Sequence, residues 1–289
     1  MHVDLLGAVL RDPLGMTGSA LLGLVTVMAI LAPALSGYPP DLYTGQILSP
    51  PSAWHPLGTD SVGQDIWSRL LWGARTSLLV GAAVALISTS ISVIIGTTTA
   101  IFGGLYERFW MRAVDAMLAI PPIIVMILVA AYLRPNLLVL ILLLSALSWP
   151  GGARICRAQT LSLLERTHLS AAATFGAGWR HIIRRHILPD LTPIMLALTV
   201  GAARRAIFME AGLSFLGVSD PTMVSWGKIM QQALQFTYLD VWRWWLVPTG
   251  LALSLTLVSL SLLGFALEGA MDPRLDGGQR HGDTRSSHA

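Results

Sequence analysis

The sequence predicts an all-α integral membrane protein with six transmembrane helices, and three observations predict it. Of 289 residues, 54% are hydrophobic and only 12% charged, with a mean hydropathy of +0.64, whereas a soluble domain carries about 25% charged residues. Several apolar stretches reach about 20 residues, the length that crosses a hydrocarbon layer of roughly 30 Å. The basic residues fall in short segments between those stretches, which is the pattern of membrane orientation and not of nucleic-acid contact. The net charge of +3 and pI near 9.4 therefore say where the chain sits, not what it binds.

The spans are read at residues 14–35, 77–102, 116–133, 137–153, 191–218 and 245–267. The first is too long for the apolar part of a signal peptide, about 7 to 15 residues, and is read as a retained helix. Residues 37–76 then form an external segment rich in Pro, Tyr and Trp, ending in IWSRLLWGAR (66–75), which is expected to lie along the membrane surface as a short amphipathic helix. The third span opens on Asp115 and Pro121-Pro122, a pair that bends a helix by freeing backbone carbonyls. After the fourth span comes a long cytoplasmic loop, 154–190, where a bundle ordinarily needs only a few residues. The chain thus divides into an N-terminal helix with its external segment (1–76), a transmembrane core (77–270) and a polar tail (271–289) expected to be disordered.

Short Lys- and Arg-rich loops stay in the cytoplasm. With the N-terminus inside, Arg11, Arg108, Arg112, Arg154, Arg157, Arg166, Arg180, Arg184, Arg185, Arg274, Arg280 and Arg285 are cytoplasmic, and Arg69, Arg75, Arg134, Lys228 and Arg243 are outside. The bias of twelve to five places both termini inside.

Enzyme classes find little support. There is no HExxH, and Ser214 lies in GLSFLG, not GxSxG. All seven histidines fall outside the predicted spans, so no span supplies a serine-histidine pair by itself. The single lysine, Lys228, follows Gly227 but has Thr222 at the first glycine position of a P-loop and Ile229 where Ser or Thr belongs. The lone Cys156 excludes an internal disulfide and reads as a packing residue.

The cytoplasmic loop holds SAAATFGAGWRHIIRRHILPDLTP (170–193): small residues that allow close approach, a glycine for the bend, a second helix, and Pro189, expected to break that helix before the next span. This stretch resembles the EAA signature of the membrane subunits of ABC importers, with Ser170, Ala171, Ala172, Gly176, Leu188 and Pro189 at the matching positions. Ser170 replaces the usual acidic residue, and His186 stands where the signature has Ile. HPLGTDSVGQDIWSRLLWGARTSLLVG (55–81, with Gln64 for the usual Arg), EAGLSFLGV (210–218), SWGKIM (225–230) and MDPRL (271–275) narrow the resemblance to the C-type permease subunits of dipeptide, oligopeptide and nickel importers.

The resemblance implies a type I ABC importer permease fold whose cytoplasmic coupling helix docks on separate ATP-binding subunits. Ser170, Ala171, Ala172, Gly176, Leu188 and Pro189 would form the coupling element. The implied assembly adds a second permease, two ATP-binding subunits or domains and an extracytoplasmic binding protein, all in a bacterial inner membrane. ATP and Mg²⁺ would sit on the partners, with no cofactor and no metal on this chain. The implied cargo is a short peptide; a nickel chelate or other small solute is the alternative, and a non-transporting regulatory protein a second one. Arg180, Arg184 and Arg185 read either as lipid anchors or as contacts to an ATPase subunit.

The fifth span carries Arg204, Arg205 and Glu210 near its middle, where a charge costs about 2.5 to 3.5 kcal/mol and must face protein or water. At about 100° per residue the two arginines cannot both share a face with Glu210. Either one arginine faces a translocation path, or the group is an intramembrane ion pair.

Overall fold

The computed structural model describes residues 5–133, 136–165, 178–218, 220 and 222–271. These are helical apart from the connecting segments, with one isolated bridge between Thr59 and Asp65. In chain order the helices are α1 (Leu5–Arg11), α2 (Pro13–Ile30), α3 (Ala32–Leu35), α4 (Ile66–Phe102), α5 (Gly104–Ala119), α6 (Pro122–Leu133), α7 (Leu137–Leu164), α8 (Trp179–Ile182), α9 (Leu188–Phe215), α10 (Trp226–Leu234) and α11 (Leu246–Met271). A π-helical turn, Ile183–Ile187, joins α8 to α9, and a 3₁₀ turn, Asp240–Arg243, precedes α11. Among the described residues five helical segments are long and apolar enough to cross a membrane, or six with the bent pair α5–α6 taken as one span.

Helix α4 is the central post, packed by α7, α9, α2, α5 and α10. It is 37 residues long, about 55 Å at 1.5 Å per residue, well beyond the hydrocarbon thickness. The expected surface helix at 66–75 is its first part. Ile66, Arg69, Leu70 and Leu71 are buried there, with Ile66 and Leu70 packed towards α10 and Trp245. Protein contacts, unavailable to a sequence pattern, thus replace the headgroup surface. Asp65 starts the helix, its carboxylate accepting from the Ser68 amide at 2.7 Å. Gly103 and Gly104, at φ 57° and 59°, reverse the chain at the other end.

Small residues let the helices close on α4, as membrane helices without a hydrophobic driving force require. A Cβ on Gly96 would lie 2.6 Å from the Ala153 carbonyl oxygen and from the Cys156 Cβ, and one on Gly152 would lie 2.5 Å from the Ser92 hydroxyl. Ser92 donates across this parallel α4–α7 seam to the Trp149 carbonyl at 2.8 Å. On the antiparallel α4–α9 seam, Gly81 receives Ile207 and Thr89 meets Thr199 at 3.3 Å. Helix α2 lies at the edge, where Gly18 admits the Ser259 carbonyl of α11.

Three further expectations are revised. The third span starts earlier, at Gly104, and is two helices bent by 79°. The break follows from Pro121, which forces Ile120 out of the helical region to φ −98°, ψ 126°. The fourth helix runs to Leu164, 11 residues past the expected end, because Cys156, Thr160 and Leu163 remain buried there. Pro189 does not break the chain: it sits in the first turn of α9, and helix continues from Trp179 to Phe215. Proline lacks a donor and crowds the carbonyl four residues back. The π turn widens the backbone just ahead of it, with the Leu188 amide donating to the Ile183 carbonyl five residues earlier.

Candidate functional site

Two regions bear on function, one at the Gly103 end of the bundle and one midway along α9. At the first, Leu163 of α7 packs with Ile182, Ile187 and Leu191 in a buried cluster that also takes in Ile101 of α4 and Met195 of α9. This apolar base joins three long helices beside Leu188 and Pro189. Those two residues of the predicted coupling element open α9; Ser170, Ala171, Ala172 and Gly176 lie outside the described residues, as does the tail 272–289. Arg180, Arg184 and Arg185 are exposed on the other face of the same helical stretch, while Ile182 and Ile187 point inward.

Nearby, α5 is held to α7 by two ion pairs. Arg157 meets Glu107, and Arg154 meets Asp115 at 2.6 Å. Trp110 packs edge-on against Trp149 between them, ring centroids 6.2 Å apart. These pairs account for Asp115 and for two of the arginines read as orientation signals alone.

In the second region the structure separates the three charged residues of α9. Glu210 is fully buried against α4, accepting from the Ser77 hydroxyl at 3.1 Å and from the Ser214 hydroxyl at 2.8 Å. Both arginines are exposed on the opposite side. Arg204 leans to α11, donating to the Ser261 hydroxyl at 3.2 Å. Arg205 lines a cleft of about 270 Å³ between α6 and α9. Among the described residues neither guanidinium is paired with a carboxylate, so an ion pair of Glu210 with either arginine does not form within this chain.

The 36–65 end holds functional-looking residues that the sequence reading passed over. His55 Nδ1 lies 2.9 Å from the Asp65 carboxylate, which also caps α4, and Tyr38 packs on the imidazole at 5.0 Å between centroids. Asp60 accepts from the Val62 and Gln64 amides, at 3.0 and 2.8 Å, and pairs with Arg69. All four of His55, Asp60, Asp65 and Arg69 are buried, so Arg69, read from the sequence only as an outside charge, also has a structural role. An Asp three residues before Ser68 at the head of an apolar run was the available signal.

Comparison with known proteins decides the family. The sequence model of the family described as binding-protein-dependent transport system inner membrane component matches residues 88–277, and that of the N-terminal TM domain of oligopeptide transport permease C matches residues 8–51. The chain belongs to the binding-protein-dependent permeases. As a permease of this family it is a multi-pass subunit of a transporter, not an enzyme, and ATP hydrolysis belongs to separate subunits. Among curated permeases, a protein named as a peptide transport system permease in Brucella suis is 38% identical over 89% of this chain and 87% of its own. The dipeptide transport system permease protein DppC of Bacillus subtilis is 36% identical over 92% of this chain and 83% of its own. A second Brucella suis protein, named as a peptide permease, is 35% identical over 89% of this chain and 88% of its own.

Proposed function

We propose that this permease moves short peptides inward by alternating access, driven by partner ATPases that act through residues 170–189. The observation that carries the cargo is the identity of 36% to a dipeptide permease, which runs through 92% of this chain and so includes the helices that would line a path. For the drive, support comes from the apolar base at the Gly103 end. A push on the segment ahead of Pro189 would meet Ile182 and Ile187, and through them Leu163 of α7 and Ile101 of α4. The unbroken helix from Trp179 to Phe215 would carry the same displacement past Arg205 and Glu210. A bent segment on a packed base transmits force; a floppy loop would absorb it.

On this reading the coupling end faces the cytoplasm, both termini are inside, and the buried His55–Asp65 and Asp60–Arg69 pairs face the binding protein. A second permease, two ATP-binding subunits and that binding protein complete the assembly, and ATP and Mg²⁺ are held by the partners with no cofactor on this chain.

The test is uptake of labelled di- and oligopeptides by vesicles that hold the whole assembly, with and without ATP inside. ATP-dependent accumulation is the expected result. Uptake of a nickel chelate in place of peptides would overturn the cargo, and assembly without any solute flux would overturn transport. Orientation is read in a Cys156→Ser background with a single cysteine at exposed Trp179: a membrane-impermeant thiol reagent added from the periplasmic side should not reach it.

A further inference from the structure

We propose that Arg205 and the cleft beside it form the seat for the carboxylate end of a peptide, with the adjoining apolar side chain lodged between α6 and α9. This deepens the peptide-import reading and rests on it.

Adjacent positions on a helix diverge by about 100°, and here the divergence divides the two arginines between different neighbours. Arg204 is taken up by the Ser261 hydroxyl of α11. Arg205 faces the other way, into a cleft walled by Ile123, Met126 and Ile127 of α6 and by Phe208, Met209 and Leu216 of α9. Among the described residues Arg205 is the one charged residue in that lining. Glycine at position 201, one turn back, leaves the guanidinium unobstructed: a Cβ there would lie 3.4 Å from an Arg205 nitrogen. The obvious internal counter-ion, Glu210, is buried on the far side of the helix and already accepts from Ser77 and Ser214. An exposed cation on an apolar-walled cleft, with no described acid beside it, is set to receive an anion that arrives from outside the chain.

The shape and chemistry of the walls narrow which anion. The volume of about 270 Å³ falls just below the range of roughly 300 to 1,000 Å³ that holds drug-sized ligands, so it suits the terminal residue of a peptide and excludes a long one. Its walls are aliphatic and aromatic beside the single cation, matching an apolar side chain next to a carboxylate; phosphate or a metal chelate would leave the walls unused. Met126 and Met209 are unbranched and polarizable, so the seat adapts to several apolar side chains. One wall stands next to a bend: α6 begins directly after the 79° break at Ile120–Pro121, so a change in that bend would change the width of the cleft and the grip on its occupant.

The test uses the full assembly in vesicles and two dipeptides that carry a photoreactive diazirine leucine at the C-terminus, one as the free acid and one as the amide. Irradiation of the wild type with the free acid should label residues 123–127 and 208–216, with roughly tenfold less labelling by the amide, the loss expected for one charge-assisted contact. Arg205→Gln should reduce labelling by the free acid to the level of the amide without changing the amide's own level, and Arg205→Lys should restore part of it. Co-purification of the ATPase subunits shows that each variant assembles.

Equal labelling by acid and amide in the wild type, labelling elsewhere in the chain, or an Arg205→Gln variant that labels like the wild type would each overturn the seat while leaving peptide uptake standing. A Phe208→Cys variant that cross-links to the second permease would assign the cleft to the subunit interface and overturn it too. Wild-type vesicles that take up neither dipeptide would bring down the import reading itself, and the seat with it.

Discussion

The Ser77 hydroxyl of α4 donates to the Glu210 carboxylate of α9 at 3.1 Å, across 133 residues of sequence. With Ser214 on the other oxygen at 2.8 Å, it satisfies an acidic group that has no exposed surface, and so fixes the register of the two helices. Replacing Glu210 by Leu leaves both hydroxyls buried without their acceptor, at a cost of about 1 to 3 kcal/mol. Glu210→Gln keeps an acceptor and should cost less than about 1 kcal/mol. Thermal unfolding of the purified assembly should rank the variants in that order, and a leucine variant as stable as the wild type would show that the carboxylate holds nothing.

Gly151 and Gly152 are neighbours with opposite expectations. A methyl group at 152 would lie 2.5 Å from the Ser92 hydroxyl and 2.9 Å from its Cβ, whereas at 151 nothing stands within 4 Å. Gly152→Ala should therefore open the α4–α7 seam and destabilise by about 1 to 3 kcal/mol. Gly151→Ala should be neutral or stabilising by up to about 1 kcal/mol, since alanine is the better helix former. The two are compared by heat-induced aggregation in the same detergent.

The number of crossings was legible because apolar length alone sets it; helical rotation showed only that the two arginines cannot both share a face with Glu210, and that neither does depends on how α9 packs on α4. What stayed illegible depends on neighbours far away in sequence. The stretch 66–75 reads as an amphipathic surface helix until α10 and Trp245 are seen to cover Ile66, Leu70 and Ala74. Pro189 reads as a helix end because composition does not disclose a π turn that absorbs it. Likewise Asp60 reads as a loop charge and Arg69 as the polar face of a surface helix nine residues on, and only the fold buries both.

That buried Asp60–Arg69 pair should show the asymmetry of ions removed from water. Asp60→Ala alone strands the arginine and also deprives the Val62 and Gln64 amides of an acceptor, so a loss of about 3 to 5 kcal/mol is expected. Asp60→Ala with Arg69→Met removes the stranded charge and should recover part of that loss. A double-mutant cycle on unfolding of the assembly reads the coupling directly, and strict additivity of the two changes would show that the pair does not interact.

The two ion pairs between α5 and α7 differ in depth, and that difference should decide what each contributes. Arg157 and Glu107 are 29% and 27% exposed, against 55% and 52% for Arg154 and Asp115. Water screens the outer pair, which should be worth about 0 to 1 kcal/mol, while the inner one lies close to the buried Cys156 and Ala153 and loses less to the solvent. Helix α5 is tied to the rest through α7, through α4 and through the break at Ile120–Pro121. Glu107→Gln should therefore raise amide exchange along 104–119 several-fold, with Asp115→Asn raising it much less. The reversed pair Glu107→Arg with Arg157→Glu should restore protection, because it returns a charge pair to the same geometry. If the outer substitution loosened the helix as much as the inner one, burial would not be what ranks them, and the apolar packing of Trp110 on Trp149 and of Val114 with Ile95 would have to carry the attachment of α5.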